Sequence, residues 1–341
     1  MNYLDQTTNI VQNNKLMLVE NFKDECKSSP RMTTLFKEFS KIASGNFKPT
    51  ITPTANKEYI KKYSKIQKFE KVHSTIWGKF DAHFFASIPF ILEEELRLGS
   101  TILNYWTLKK QNKEFRIYTM GTAEATMART IGLLGNGNIK TLSCSPNKEN
   151  KDSFLSHGIP LNSFFHVGTF ADIDIKYIKR SQFFKNGFDI IIEDTTFQMY
   201  SPHRVKQIKF SSMTLKENGI FISINKMLDV NMKEYYRKEK IKDDFKKKYF
   251  SEYQIKEKNT ILNMMEKNQV TLAETISALH LTFKYVVVYW NSTNFYSLAS
   301  SNSKENLDLF ISVMPEQYLD ETVKKLQKPV YKVYIRGGKN E

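Results

Sequence analysis

Apolar and polar positions follow two rhythms along the chain, and the change of rhythm divides it. Residues 1–56 are polar and mixed. They hold one expected amphipathic helix, Met32 to Ala43, and an expected linker, Asn46 to Asn56, where Pro49, Pro53 and several threonines gather. From 57 to 110 the apolar residues recur at helical spacing. Tyr59, Ile60, Tyr63, Ile66 and Phe69 lie between lysines, and Phe84, Phe85, Ile88, Ile91, Leu96 and Leu98 follow, with Pro89 as a break. This stretch reads as a helical cap beside a main domain.

The rhythm then shortens. FRIYTM (115–120), IKTLSC (139–144), SFFHV (163–167), FDIIIE (188–193) and IFISI (220–224) are short apolar runs that predict buried strands. Between them, 125–134, 147–157 and 202–215 predict helices, and Glu217-Asn218-Gly219 a turn. Strands alternating with helices imply a parallel sheet covered on both faces. A charged helical insertion is expected over 232–267, then a helix over 272–281. Two late strands, 283–290 and 295–300, flank an Asn-Ser-Thr-Asn turn and so pair antiparallel. DLFISV (308–313) reads as a further strand, and the tail 315–341 as surface with one short helix. The expected fold is therefore α/β, with a seven-stranded, mostly parallel, Rossmann-like sheet whose last strand is antiparallel, occupying 111–314.

Composition changes this picture little. With 40% hydrophobic and 13% aromatic residues the chain can bury a large core. The net charge of +15 favours acidic partners, nucleic acid among them. The excess is mostly lysine, however, whereas readers of nucleic acid favour the planar fork of arginine. The two cysteines, Cys26 and Cys144, form neither a disulfide framework nor a zinc spacing, so no metal is expected and a cytoplasmic setting is. No run is long and apolar enough to predict a membrane partner. Nothing in the pattern speaks to an oligomeric state.

Ligands of an open parallel sheet bind beyond the carboxyl ends of its strands. The candidate binding residues are therefore Met120, Gly121, Thr122, Ala123, Glu124 and Ala125 after the first strand, and Ser143, Cys144 and Ser145 after the second. Thr169, Phe170, Ala171 and Asp172 follow the third. Glu193 and Asp194 end the fourth, where a charge needs a partner, and Tyr200 and His203 come shortly after. His203 is a candidate base because an imidazole titrates near neutrality.

The order of these segments, IYTMGTAEA, IIIEDTTFQMY and LKENGIFISI with the late antiparallel pair, resembles the class I S-adenosylmethionine (SAM) dependent methyltransferase family across Phe115 to Met314. The chain is also similar to uncharacterised methyltransferase-like proteins of phages. The resemblance implies SAM as cofactor and methyl transfer to an unidentified acceptor. The loop after the first strand would lie under the methionine and ribose, the second loop would meet the ribose, and the third, through Asp172, the adenine. Glu193 and Asp194 would face the methyl group and acceptor, with Tyr200 and His203 lining the acceptor pocket. Three departures stand out. Thr119 replaces an acid two positions before Gly121, Ala123 and Ala125 replace glycines, and serine replaces the ribose-binding acid after the second strand. Alanine resists left-handed backbone, so the first loop is expected to lose that conformation. Three other readings compete: another SAM-using transferase, a non-catalytic binding module, and a nucleic-acid binder working through the basic cap and insertion.

Overall fold

The computed structural model describes residues 19–109, 114–326, 330–331 and 333–337. The first part (1–18) of the expected N-terminal extension over 1–56, the expected junction between cap and sheet (110–113) and the basic end (338–341) lie outside the described residues.

An eight-stranded mixed sheet runs through the protein. Its strands are β1 (Phe115–Met120), β2 (Ile139–Ser145), β3 (Ser163–Val167), β4 (Phe188–Asp194), β5 (Leu215–Lys226), β6 (Tyr285–Ser292), β7 (Phe295–Ser301) and β8 (Val333–Ile335). Their order is β3-β2-β1-β4-β5-β7-β6-β8. The first five pair parallel with one another, while β7 pairs antiparallel with both β5 and β6.

The apolar runs form strands because their alternate side chains enter two cores, one on each face. Ile190, Ile192, Ile220 and Ile222 enter one core with the helix α5 (Ile91–Leu108), and Ile191 and Phe221 enter the other. Shorter helices precede α5, among them α1 (Thr34–Ser44), α2 (Lys57–Lys62), α3 (Ser64–His73) and α4 (Lys79–Phe85). Crossovers α6 (Thr126–Leu134), α7 (Lys148–Ser156), α8 (Ile175–Arg180) and α9 (Arg204–Ser212) link the parallel strands. The insertion is two helices, α10 (Met232–Lys246) and α11 (Glu252–Leu262), and not one. The second starts afresh where Ser251 and Gln254 form a reciprocal capping box. The helix α12 (Leu272–His280) leads into β6.

Three expectations need correction. DLFISV is not a strand: α13 (Lys304–Ser312) covers it, started by Ser303, whose hydroxyl accepts from the Asn306 amide, and burying Leu307 and Phe310 three apart. The tail is not wholly surface. Beyond the short helix α14 (Glu321–Lys324), residues of β8 pair with the free edge of β6, Ile335 opposite Tyr285, and raise the strand count from seven to eight. Glu217-Asn218-Gly219 is no turn between elements; it is the irregular part of β5, where pairing jumps from Phe188–Leu215 to Ile190–Ile220. A Cβ on Gly219 would lie 3.0 Å from the Asp189 carbonyl oxygen, so the irregularity needs glycine there.

Candidate active site

β1 and β4 are neighbours, yet β1 passes its chain to β2 on one flank and β4 passes its chain to β5 on the other. At such a switch point the departing loops separate and leave a crevice. Register keeps the strand ends level: Met120 lies opposite both Cys144 and Glu193. A cavity of about 380 Å³ opens there, a volume ordinary for small-molecule sites. Its floor is made by the loops after β1 to β4, and its roof by α1, α4, α10 and α11.

The β1 loop corrects the expectation about alanine. Gly121 has φ +75°, Ala123 +41° and Ala125 +59°, so all three alternate positions take left-handed backbone. For alanine this costs roughly 1 kcal/mol per residue. Across the crevice Thr195, a β-branched residue for which the conformation is rarer still, has φ +48°. Strain of this kind is held where surrounding structure dictates the loop shape, and it concentrates at functional sites. Gly121 is required for a second reason: a Cβ there would overlap the Thr196 hydroxyl, which donates to the Met120 carbonyl and ties the two loops together.

Of the residues expected at the site, Gly121, Thr122, Ala123, Cys144, Ser145 and Phe170 line the cavity, as do Asp194 and Tyr200. Tyr200 packs edge-on to Phe170, with ring centres 5.0 Å apart, and burial raises its phenol so that it stays protonated. Burial likewise pushes the Cys144 thiol up to about 12, which leaves it an inert wall group.

The others stand back from the cavity. Met120, Ala125 and Ala171 are buried in the protein. Ser143 exchanges a 2.7 Å hydrogen bond with Thr119, so the acid missing at position 119 is replaced by a hydroxyl pair inside the sheet. Thr169 and Asp172 close a capping box on each other, the Asp172 carboxylate accepting from the Thr169 amide at 2.7 Å. His203 is exposed and off the cavity wall. Glu193 is fully buried and fully engaged. One oxygen accepts from the Thr196 and Phe197 amides at 2.7 and 2.9 Å, and the other from the Ser223 hydroxyl at 2.9 Å and from Asn225. Such a carboxylate braces the β4 loop and has no lone pair left for a substrate.

Asp194, its neighbour, is the opposite case. It is buried at the cavity wall with Oδ1 unpartnered. Burial first, then the nearby Glu95 and Glu193 carboxylates, raise its pKa well above the usual range. Asp81 and Glu95 line the same end. Asp81 accepts from the Thr126 hydroxyl and is raised by burial, then by Glu124 and Glu95. Glu124 has one oxygen on the Asp81 amide at 3.1 Å and the other unpartnered. Glu95 accepts from His73 Nε2 at 2.8 Å. The indole N–H of Trp77 donates to His73 Nδ1 at 2.9 Å, and an indole can only donate. The imidazole proton therefore sits on Nε2 and the ring is neutral. Four carboxylates thus converge with no cationic side chain paired to them among the described residues.

The sequence reading passed over Asp81 and Glu95 because they lie on α4 and α5, far from any strand end. It also missed Arg31 and Asn150. Arg31 is buried on the cavity wall, donates to Asn147, lies 4.6 Å from the centre of the Phe39 ring, and has one terminal nitrogen unpartnered. Asn150 gives its amide to Ser145 at 2.8 Å and keeps a buried, unpartnered carbonyl oxygen, also on the wall.

No family model matches the chain, and no curated protein does. Among solved structures, the chain is similar to the plantazolicin methyltransferase BpumL in complex with SAH, at 10% identity over 84% of this chain and 100% of that one, with a TM-score of 0.46. An O-methyltransferase from Bacillus cereus, also in complex with SAH, matches at 10% identity over 72% and 96%, with a TM-score of 0.40. A probable spermidine synthase from Corynebacterium glutamicum matches at 14% identity over 67% and 75%, with a TM-score of 0.38. Likeness this loose assigns no property to the chain. Among the described residues no helix is long and apolar enough to cross a membrane.

Proposed function

We propose that the chain is a SAM-dependent methyltransferase with a class I fold, and that the cavity at the β1–β4 switch point holds SAM beside its methyl acceptor. The observation that carries this reading is the cluster of Asp81, Glu95, Glu124 and Asp194 against a β1 loop that keeps left-handed backbone at 121, 123 and 125. The buried, unpartnered oxygen of Asp194, beside two more wall acids that have no cation paired to them among the described residues, calls for a cationic ligand. SAM brings two positive charges, an ammonium and a sulfonium, and its sulfonium supplies an electrophilic methyl group.

The residues present fit that cofactor, by a route that departs from the family's. Asp194, Asp81 and Glu95 supply negative charge for the cationic part. The unpartnered carbonyl oxygen of Asn150 is the acceptor available to a ribose hydroxyl, in place of the missing acid. Phe170 and Tyr200 offer a flat apolar wall for a purine, and the inert Cys144 lies on the same wall. Neutral His73, held between Trp77 and Glu95, fixes the Glu95 carboxylate without cancelling its charge. The protein's own contribution is to bind, align and exclude water. Glu193 serves by holding the β4 loop that presents Asp194. His203, exposed and away from the cavity, has no part in this account, so proton removal from the acceptor falls to a carboxylate of the acid cluster or to solvent.

Calorimetric titration with SAM and with SAH tests the reading. Micromolar binding of both, weakened in Asp194→Asn, is the expected result. Folded protein that binds neither would refute it.

A further inference from the structure

Another part of the cavity wall has a different chemistry. Its walls carry Lys226, Lys242, Lys246 and Lys258 against Glu239, Asp243 and Glu266. Glu239 is taken by Lys226 at 2.6 Å and by Lys242. Asp243 is taken by Lys246 at 3.1 Å and Lys242 at 3.6 Å, and also accepts from Asn259. Glu266 accepts from the Tyr236 hydroxyl at 3.2 Å. Lys258 is left over. Its ammonium lies 3.5 Å from the Ser87 hydroxyl and makes no ion pair among the described residues. A half-buried lysine on a cavity wall with no acid beside it has room for an anion there.

The helix carrying most of these groups is built for the purpose. Lys238, Lys242 and Lys246 recur every four residues along α10 and are all buried, so the inward face of this helix is charged where packing alone would make it apolar. Lys247 and Lys248, next in sequence, are exposed.

We infer that the ligand filling this part carries an oxyanion, a carboxylate or a phosphate, and that Lys258 binds it with Lys246 and Lys242 beside it. Resting on the methyl-transfer reading, this makes the methyl acceptor a small anionic molecule, its charge bound by lysines that are not paired with the acid cluster. The lysines line the same cavity as the acid cluster, whose volume of about 380 Å³ matches a small acceptor. Burial lowers Lys258 to about 7, and burial followed by Lys242 lowers Lys246 to about 8. An anion reverses both shifts, so its arrival draws protons onto the protein.

The test is calorimetry of the full chain with inorganic phosphate, in buffers of different ionisation enthalpy, for wild type, Lys258→Met and Lys246→Met, with SAM titrated into the same preparations. Saturable phosphate binding is expected, with proton uptake at pH 8 and little at pH 6. Lys258→Met should weaken it about tenfold while SAM binding persists. Phenyl phosphate and benzoate, run in parallel, identify by the tighter of the two whether the acceptor's group is phosphoryl or carboxyl. SAM binding without oxyanion binding, or oxyanion binding unchanged in folded Lys258→Met and Lys246→Met, overturns this inference and leaves the methyl-transfer reading intact. Oxyanion binding without SAM binding supports the lysine site and overturns the methyl-transfer reading instead.

Discussion

One part of the cavity wall gathers Asp81, Glu95 and Asp194 without a cation, and another gathers Lys226, Lys242, Lys246 and Lys258 with only Glu239, Asp243 and Glu266. The acid part is built on strand termini and on helices packed into the sheet, so its positions are fixed by the core. The basic part is built largely on the insertion, whose helices meet the sheet mainly through the cavity roof. Among the described residues these lysines pair with Glu239 and Asp243 and not with Asp81, Glu95 or Asp194. A cavity so divided suits two ligands of opposite charge, and it makes the two parts respond to pH with opposite sign.

The comparison extends to two adjacent acids, and the largest expected effect lies there. Glu193→Ala removes an acceptor of four buried donors, so we expect a loss of about 3 kcal/mol in unfolding free energy, read from denaturant titration. Asp194→Asn leaves stability at neutral pH unchanged or higher and weakens SAM binding by about 2 kcal/mol, roughly thirtyfold, by calorimetry. If the two variants behaved alike, the division of labour between them would be wrong.

Stability against pH sharpens the contrast between the two parts. The folded pKa of Asp194 is raised, so the folded state holds protons that the unfolded chain releases from about pH 4 upward. Its contribution therefore falls as pH rises, and the gain from Asp194→Asn is absent at pH 3 and grows as the pH is raised above 4. Lys258 is depressed to about 7, so the unfolded chain holds its proton up to about pH 10 while the folded state does not. Its cost is complete below pH 7 and disappears as pH climbs to about 10. Lys258→Met should be more stable than wild type by about 2 kcal/mol at pH 6, allowing for partial solvent access, and equal to it near pH 10. Thermal unfolding across pH checks both.

The smallest effect concerns the strained loop. Ala125→Gly relieves left-handed alanine and adds unfolded-state freedom, a net gain of about 0.5 kcal/mol. A loss would mean that Ala125 is not strained.

How far the sequence could be read depended on where each signal lay. β1 to β4 and the late pair were legible because buried strands are short, apolar and bounded by turn residues. DLFISV misled because its apolar residues also fit a helix, and only the Ser303 cap distinguishes the two. Strand ends pointed to Gly121, Asp194, Cys144 and Phe170, since fold topology places them. Asp81, Glu95, Arg31 and Asn150 were illegible because tertiary packing alone brings them to the cavity. Lys242 and Lys246 did leave a signal: a four-residue lysine repeat on a helix without an apolar stripe. The stretch was read only as a charged helical insertion, and the repeat faces inward.

Proton linkage on SAM binding tests the central claim most directly. If the acid cluster receives the cationic cofactor, SAM titrated at pH 7 in buffers of differing ionisation enthalpy will release protons from carboxyls that burial had kept protonated, and Asp194→Asn will reduce the release. Binding with no proton release, or with uptake, would contradict the account.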